Sequence, residues 1–359
     1  MNNENDIKAC LLDHYKRYPR MQIQDAVKMV YQNEFAGGHL INSEEDSLNF
    51  LRKEICSLKT YATNSEKPMF ESIGNGLYRL HLTGLKDTGI NPETANRFFM
   101  ETANFFHGNI RRFEIKLNVL RQCCMDNELP YTLCELETYL DAYKKTGYPP
   151  VSHSTVYREA YSPAYRVVRD AYNDFFEVFC RIDSLLCSKQ IVHIAIDGNS
   201  GAGKSTLAAL LDQTYDCNLF HTDHFFLKPN QRTMRRLNEA GGNIDYERFF
   251  KEVITGLKSG DEFKYHIYNC EKNTMDQSVH VFPGRLNIIE GCYSMHPAFI
   301  DLYDLKIFLG VDEREQSHRI LKRNGPLMHK RFLSEWILLE NRYFKEMGIP
   351  EKSDLVFKV

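Results

Sequence analysis

The sequence lacks the features that mark several classes of protein. It has no apolar run near the ~18 residues of a membrane span, and its start, MNNENDIKAC, has no signal-peptide core. Its ten cysteines form no CxxC pair and no zinc-ligand spacing, and its 13 histidines form no HxxxH or HExxH pattern. We therefore expect a cytoplasmic protein with reduced thiols, without a disulfide framework or a metal-hydrolase site.

An excess of either charge is also missing. Lys and Arg total 45 against 48 Asp and Glu, which gives a formal net charge of −3. A protein that binds nucleic acid through bulk charge would be distinctly basic, so we expect small-molecule partners instead. At roughly 150 residues per domain, the 359 residues are enough for two domains that each bury a core.

The two halves of the chain differ in hydrophobic pattern. From Asp6 to about Leu186, apolar residues recur mostly at helical spacing, for example over 165–179, and Asn91-Pro92-Glu93 is typical of a helix start. After Ser188, helical stretches alternate with short β-rich runs at 191–197, 218–223, 263–268, 286–290, 305–311 and 354–359. This alternation predicts an α/β fold with a mostly parallel sheet flanked by helices in residues 188–359, preceded by a mainly α-helical domain in 1–187.

The strongest motif is Gly198-Asn-Ser-Gly-Ala-Gly203-Lys204-Ser205, a full match to GxxxxGK[ST]. In such a loop, backbone N–H groups surround phosphate oxygens, the lysine reaches the β- and γ-phosphates, and the serine hydroxyl binds Mg²⁺. A strand-like run leads into the motif and TLAALL continues it as a helix, as the motif requires. The residues expected to bind the nucleotide are Gly198, Asn199, Ser200, Gly201, Ala202, Gly203, Lys204, Ser205 and Thr206.

A second motif fits the same chemistry. LNIIEG (286–291) is an apolar strand that ends in an acid, as in a Walker-B motif, and makes Glu290 a metal-binding candidate beside Ser205. No NKxD motif for guanine is present, so we expect ATP and Mg²⁺ as cofactors. Asp197 precedes the loop, and the sequence leaves open whether it approaches the metal or caps the turn.

Together these motifs resemble the uridine kinase and phosphoribulokinase family of small-molecule P-loop kinases. FHTDHFFL (220–227) is similar to the family segment in which an Asp ends the second strand and an aromatic pair follows. The resemblance implies that Asp223 takes the proton from the acceptor hydroxyl, and that Phe226 belongs to the substrate site.

Further segments extend the resemblance over about 170 residues. GGNIDYERF (241–249) is similar to the substrate loop, which implies that Asp245 contacts sugar hydroxyls, and the strand ending at Tyr268 implies a tyrosine near the nucleobase. Residues 286–324 follow the family closely and lead into its lid. The resemblance implies that the lid cations are Arg319, Arg323 and Arg331.

Ordinary structural roles remain open for these residues. Asp223 could cap the following helix, Tyr268 could be a core residue, and the three arginines could form a solvated helix face. Phosphoryl transfer itself needs cations on the phosphate oxygens and a carboxylate for the attacking hydroxyl, which Lys204, the lid arginines and Asp223 would supply.

Two departures concern the acceptor. The chain reads Tyr268-Asn269-Cys270-Glu271 where uridine and cytidine kinases often have Asp-Phe and a His after the tyrosine, and Phe226 stands where a tyrosine is frequent. We therefore expect an ATP-dependent phosphotransferase acting on a hydroxyl of a nucleoside or similar metabolite. A sugar, pantothenate-like or nicotinamide riboside acceptor is an alternative. An ATP-binding module that regulates a partner of the N-terminal domain, or an RNA-associated ATPase, would be a different class of function.

The motifs of the N-terminal half (1–186) indicate no particular family, and we expect this half to regulate the kinase or to form homo-oligomers. Asn33-Glu34-Phe35-Ala-Gly-Gly-His39 places an acid and an imidazole around a glycine turn, which is either a small site or a helix C-cap. Tyr and Arg alternate over 157–169, a pattern that suits either base stacking or helix packing.

Overall fold

A computed structural model describes residues 3–37, 43–58, 68–270 and 272–359. The chain divides into two compact units, residues 1–180 and 181–359. Within the described ranges, no helix has the length and apolar character needed to cross a membrane.

The first unit consists of helices and a small sheet. The helices are α1 (Asn3–Arg17), α2 (Ile23–Phe35), α3 (Glu44–Ser57), α4 (Pro92–Phe105), α5 (Ile110–Met125), α6 (Leu133–Lys145), α7 (Thr155–Tyr161), α8 (Asp170–Asp174) and α9 (Phe176–Ser188), whose end lies in the second unit. A 3₁₀ segment covers Leu82–Asp87. Helix α4 begins directly after Asn91 with Pro92 in its first turn, as the sequence predicts. The mainly helical character of this half is confirmed.

The helical spacing over 165–169 is misleading. These residues form strand β3 (Tyr165–Arg169), which pairs antiparallel with β2 (Leu77–His81), and β2 pairs with β1 (Phe70–Gly74). Val167 and Val168 are buried, and their β-branched side chains suit a strand. The apparent helical period therefore joins the apolar residues of a strand to those of the helices that follow it.

A buried polar network lies between α1, α2 and this sheet. The Glu71 carboxylate is 3.4 Å from His14 Nδ1 and 3.4 Å from His81 Nε2. Arg79, fully buried, donates hydrogen bonds to Gln32 Oε1 (2.8 Å) and to His14 Nε2 (2.6 Å). Burial and the charge of Arg79 lower the pKa of His14 to about 4, so its ring is neutral near pH 7.

The same network continues to the start of α2. Asp25 accepts hydrogen bonds from His153 Nδ1 (2.8 Å) and from the Ser154 hydroxyl (2.6 Å), and His153 Nε2 is 2.6 Å from the Tyr165 hydroxyl. Burial lowers the pKa of His153 to about 4, although the hydrogen bond to Asp25 acts to raise it. Buried polar groups that bond one another in this way join α2 to the sheet.

The second unit contains helices on a parallel sheet. The helices are α10 (Lys204–Thr214), α11 (Met234–Leu237), α12 (Tyr246–Phe249), α13 (Thr255–Ser259), α14 (Glu313–Arg331) and α15 (Ile337–Met347). The π-helical segments Phe250–Ile254 and Phe332–Trp336 join α12 to α13 and α14 to α15, respectively. The 3₁₀ segments are Thr222–Phe225, Pro229–Gln231, Ile300–Leu302 and Pro350–Lys352.

Five parallel strands form the sheet in the order β10-β9-β4-β8-β5. They are β4 (Val192–Gly198), β5 (Asn218–His221), β8 (Leu286–Glu290), β9 (Leu305–Gly310) and β10 (Leu355–Lys358). The predicted α/β fold is thus confirmed. Because the carboxyl ends of parallel strands meet at one edge, the residues that follow β4, β5 and β8 lie together there.

One predicted strand lies outside this sheet. The run at 263–268 forms β6 (Phe263–Asn269), which pairs antiparallel with β7 (Thr274–Val281) in a separate hairpin. Strand β7 was not predicted, because most of its residues are exposed or half-buried and show no apolar alternation. The hairpin carries Tyr268 at its turn end.

Candidate active site

The glycine-rich loop joins the central strand β4 to helix α10. Gly198 ends the strand with φ 142°, and a Cβ there would lie 2.0 Å from the carbonyl oxygen of Leu309 on β9, so only glycine fits. Gly203, with φ 88°, precedes Lys204, the first residue of α10. The N–H groups of the first helical turn have no acceptor within the helix and are available to an anion.

Asp197 anchors the base of this loop. Its buried carboxylate accepts hydrogen bonds from the backbone N–H groups of Gly198 (2.7 Å), Tyr293 (3.2 Å) and Met295 (3.0 Å), and from the Tyr343 hydroxyl (2.9 Å). Burial raises its pKa to about 6 in spite of these bonds. Of the two roles left open by the sequence, the contacts favour capping of the turn over metal binding.

Lys204 and the expected metal-binding oxygens face the same loop. Lys204 Nζ donates to the carbonyl oxygens of Gly198 (2.9 Å) and Asn199 (3.0 Å). The Ser205 hydroxyl lies 3.3 Å from a Glu290 carboxylate oxygen, so both predicted metal ligands are neighbours. In the described part of the chain, no group of three His, Cys, Asp or Glu side chains forms a metal site. One hydroxyl and one carboxylate suit Mg²⁺, which takes its remaining ligands from water and phosphates.

His221 is a site residue whose role sequence reasoning missed. It ends β5 opposite Glu290 in the pairing with β8, and its Nδ1 lies 2.6 Å from Glu290 Oε1. This bond to Glu290 raises the pKa of His221. The ring of His224 is 5.1 Å from that of His221, and burial lowers the pKa of His224 to about 4.

Asp223 follows β5 by two residues and lies at the same edge of the sheet. No described residue donates a hydrogen bond to its carboxylate, and it caps no helix. Although the carboxylate reaches solvent, the surrounding protein limits its hydration and raises its pKa, whereas the charges of Lys204 and Arg323 act in the opposite direction. The carboxylate is therefore free to accept a proton from a ligand.

The three predicted lid cations have different surroundings. Arg319, on α14, donates to the carbonyl oxygen of Gly201 (3.2 Å) and pairs with Glu315 (2.7 Å). Arg323, on the same helix, acts electrostatically on Asp223. The helix is broken at Gly325, which has φ 75°, immediately before Pro326. Two of the three cations thus lie near the site before this break.

Arg331 lies after the break and is engaged locally. It pairs with Glu335 (3.2 Å), and its guanidinium carbon is 4.9 Å from the centre of the Trp336 ring. Among the described residues, no hydrogen bond or ion pair connects Arg331 to the loop or to Asp223. Its position in this structure therefore differs from that of the other two lid cations.

Of the predicted acceptor residues, Tyr268 lines a cavity. Tyr268 is buried and its hydroxyl donates to Asn273 Oδ1 (2.8 Å). Both residues line a cavity of about 460 Å³ together with Lys228, Pro229, Asn230 and Met275.

The other two acceptor residues lie outside the lining of this cavity. Asp245 caps α12 through the N–H of Arg248 (3.0 Å) and accepts a second bond from Gln231 (2.8 Å). Phe226 is half-buried and pairs through its backbone with Ile244. Glu271 lies outside the described residues.

The two N-terminal clusters are largely structural. Glu34 pairs with Lys116 (2.8 Å) and Arg112 (2.8 Å), and these partners outweigh the effect of burial and lower its pKa. His39 lies outside the described residues. In the Tyr and Arg stretch, Tyr157 is buried in the core and Arg166 pairs with Glu54 (2.8 Å), which favours packing over base stacking.

Comparison with known proteins finds a family that matches part of the second unit. Residues 193–324 match the family model described as Phosphoribulokinase / Uridine kinase family. The predicted resemblance is confirmed. The matched segment contains the glycine-rich loop, Asp223, Glu290, Arg319 and Arg323.

The individual proteins that this chain resembles share less than 30% of their residues with it in the aligned parts. A phosphoribulokinase of Synechocystis sp. is 27% identical over 143 residues, which are 38% of this chain and 42% of that protein. The chain thus spans less than half the length of this curated relative. A possible uridine kinase from Bacillus stearothermophilus is 22% identical with a TM-score of 0.38, over 50% of this chain and 99% of that one. A shikimate kinase from Bacteroides thetaiotaomicron is 16% identical with a TM-score of 0.24, over 46% of this chain and 85% of that one.

Proposed function

We propose that the second unit is an ATP-dependent kinase that transfers the γ-phosphate of ATP to a hydroxyl group of a small molecule. The observation that carries the proposal is the Asp223 carboxylate, which accepts no hydrogen bond from the described residues and lies at the same sheet edge as Lys204. A nucleotide switch has no need of an unbonded carboxylate beside its phosphate lysine. A kinase needs one to orient the attacking hydroxyl.

The positive charge for the transferred phosphoryl group comes from several groups. Lys204 is tied to two carbonyl oxygens of its own loop, and phosphate oxygens would replace them as its partners. Ser205 and Glu290 would hold Mg²⁺, which supplies charge to the β- and γ-phosphates when it is bound. Arg323 adds a cation on the side of Asp223.

Asp223 acts as the base. The acceptor hydroxyl donates a hydrogen bond to its carboxylate, the oxygen forms a bond to the γ-phosphorus, and the bond between that phosphorus and the β,γ-bridging oxygen breaks. The proton passes to Asp223 and ADP leaves. The raised pKa of Asp223 makes its carboxylate a better proton acceptor than an ordinary aspartate.

The acceptor is a hydroxyl-bearing metabolite of the size of a nucleoside or smaller. The open cavity beside Tyr268, whose lining does not include Asp223 or the phosphate loop, has a volume of about 460 Å³ and has room for such a molecule. The residues after Tyr268 and the phenylalanine at 226 depart from those of uridine kinases, so a sugar, a pantothenate-like compound and nicotinamide riboside are tested beside uridine. Asp245, engaged as a helix cap, would contact sugar hydroxyls only by exchanging its bond to Gln231.

A coupled assay with Mg·ATP and a panel of nucleosides, sugars and vitamins tests this function. We expect one acceptor to yield ADP and a phosphorylated product in equal amounts. Failure to consume ATP with every acceptor, alongside intact binding of a fluorescent ATP analogue, would contradict the proposal. That result would instead support the alternative, an ATP-binding module that regulates a partner.

A further inference from the structure

Helix α15 places a buried carboxylate against the phosphate loop. Glu340 is 4% exposed, and one of its oxygens accepts a hydrogen bond from the backbone N–H of Ser200 (2.9 Å). The other oxygen accepts a bond from the Ser200 hydroxyl. A buried carboxylate is costly unless it is hydrogen-bonded, and Ser200 supplies both of the bonds seen here.

Neighbouring contacts hold the same part of the loop. Gln316 on α14 donates to the carbonyl oxygen of Ser200 (3.0 Å), and Tyr343, one turn after Glu340, donates to Asp197 at the base of the loop. The loop is therefore held at its base and at its apex by the helices on either side of the lid break.

The bond to Glu340 determines which N–H groups face a ligand. Those of Gly198, Asn199 and Ala202 bond to protein oxygens, and Glu340 takes that of Ser200. The N–H groups of Gly201, Gly203 and the first turn of α10 remain for the phosphates. Without Glu340, the Ser200 N–H would lose its acceptor, and this end of the loop would keep only the longer contact between Asn199 and Asn341 (3.5 Å) to the described side chains of α15.

We infer that Glu340 is a positioning residue for nucleotide binding, which holds the apex of the phosphate loop in its anion-binding shape through Ser200. The inference rests on the proposed function, since it assumes that the loop binds ATP. Glu340 contacts the loop through Ser200, and its role is to order the loop before the nucleotide arrives.

The carboxylate has a second, opposing effect. Burial raises the pKa of Glu340, whereas the charge of Lys204 and the bonds from Ser200 lower it. An ionised Glu340 near Lys204 also repels the phosphates of ATP. Glutamine in its place would keep an acceptor for the Ser200 N–H and remove that repulsion. Alanine would remove the acceptor.

Binding of a fluorescent ATP analogue with Mg²⁺ to the full chain tests the inference. We expect Glu340→Ala to weaken binding about tenfold or more, Ser200→Ala to weaken it about threefold, and Glu340→Gln to bind as tightly as wild type or more tightly. Glu346→Ala is the matched control, because Glu346 lies on the same helix, is half exposed and, among the described residues, forms its ion pair with Arg342 alone. Its affinity should equal that of wild type.

The outcomes separate the inference from the proposed function. Wild-type affinity in Glu340→Ala and in Ser200→Ala, or equal weakening in Glu340→Ala and Glu340→Gln, would overturn the positioning role while leaving the kinase proposal intact. If Glu340→Ala does not fold, the contrast between Ser200→Ala and Glu340→Gln decides the matter. Absence of binding by wild type would overturn the proposed function and this inference with it.

Discussion

His221 Nδ1 lies 2.6 Å from Glu290 Oε1, at the carboxyl ends of two adjacent parallel strands. The pairing orients the carboxylate that also accepts the Ser205 hydroxyl. Groups that orient a metal ligand affect metal affinity without touching the metal. The contact therefore ties the second strand of the sheet to the expected Mg²⁺ site.

Replacing His221 should weaken the use of Mg²⁺. We expect His221→Ala to raise the Mg²⁺ concentration for half-maximal ATP turnover about tenfold, because Glu290 loses the partner that orients it. A Mg²⁺ titration at saturating ATP measures this. His224→Ala is the control, since the bond to Glu290 comes from the other imidazole. An unchanged Mg²⁺ requirement in His221→Ala would refute the orienting role.

Asp197 should matter for stability and not for metal binding. Asp197→Ala leaves three backbone N–H groups and the Tyr343 hydroxyl without their acceptor, so we expect a loss of about 3 kcal/mol or more in the free energy of unfolding. Tyr343→Phe removes one of these bonds and should cost about 1 kcal/mol. Denaturant unfolding measures both.

The half-saturating Mg²⁺ concentration of Tyr343→Phe should match wild type. A shift in that concentration comparable with the shift in His221→Ala would mean that Asp197 acts on the metal after all.

The two parts of the lid should differ in their effect on turnover. We expect Arg323→Ala to lower kcat by about a hundredfold, because Arg323 is the lid cation that acts on Asp223. Arg331→Ala should leave kcat within about twofold of wild type, since Arg331 pairs with Glu335 and packs on Trp336. Steady-state rates at saturating ATP distinguish them. Equal losses in both variants would show that the lid closes so as to bring Arg331 into the site.

The first unit should lose stability in mild acid. The pKa values of His14 and His153 are lowered from 6.5 to about 4, and that of Glu71 is also lowered, by bonds from His14 and His81 that outweigh its burial. In the unfolded chain these histidines bind protons below about pH 6.5, while in the folded chain they remain neutral until about pH 4. The unfolded chain therefore binds more protons than the folded chain between about pH 6.5 and pH 4. The free energy of unfolding is unaffected by these histidines above pH 6.5 and falls as the pH drops from 6.5 to 4, by up to about 3 kcal/mol for each histidine.

Thermal unfolding of the full chain is measured at pH values from 7.5 to 4.5. The midpoint of the transition that belongs to the first unit reports this loss of stability. His153→Gln should be less stable at pH 7.5 but should lose less on acidification, whereas His107→Gln, at an exposed position, should behave as wild type. A wild-type transition that does not move between pH 6.5 and 4.5 would contradict the expected linkage.

Much of the second unit was predictable because its signals are local. The strand, the glycine loop and the start of α10 follow one another within 192–204, and Asp223 and Glu290 each end or follow a recognisable strand. Parallel pairing then brings these strand ends together without further information.

Contacts between distant residues were not predictable. Glu340 is 140 positions from Ser200. It lies on an amphipathic helix, where a glutamate is expected to be exposed to solvent. The partner of His221 depends on the register of β5 against β8, which no local pattern encodes. Strand β3 was missed because its two buried valines also fit a helical period with the residues that follow.

The role of Asp223 as the base is the central claim, and Asp223→Asn tests it most directly. With the preferred acceptor, turnover of ATP and binding of a fluorescent ATP analogue are measured on the same preparation. The account predicts that kcat falls by about a thousandfold or more, while affinity for the analogue stays within about threefold of wild type. Turnover near the wild-type rate in Asp223→Asn would contradict it.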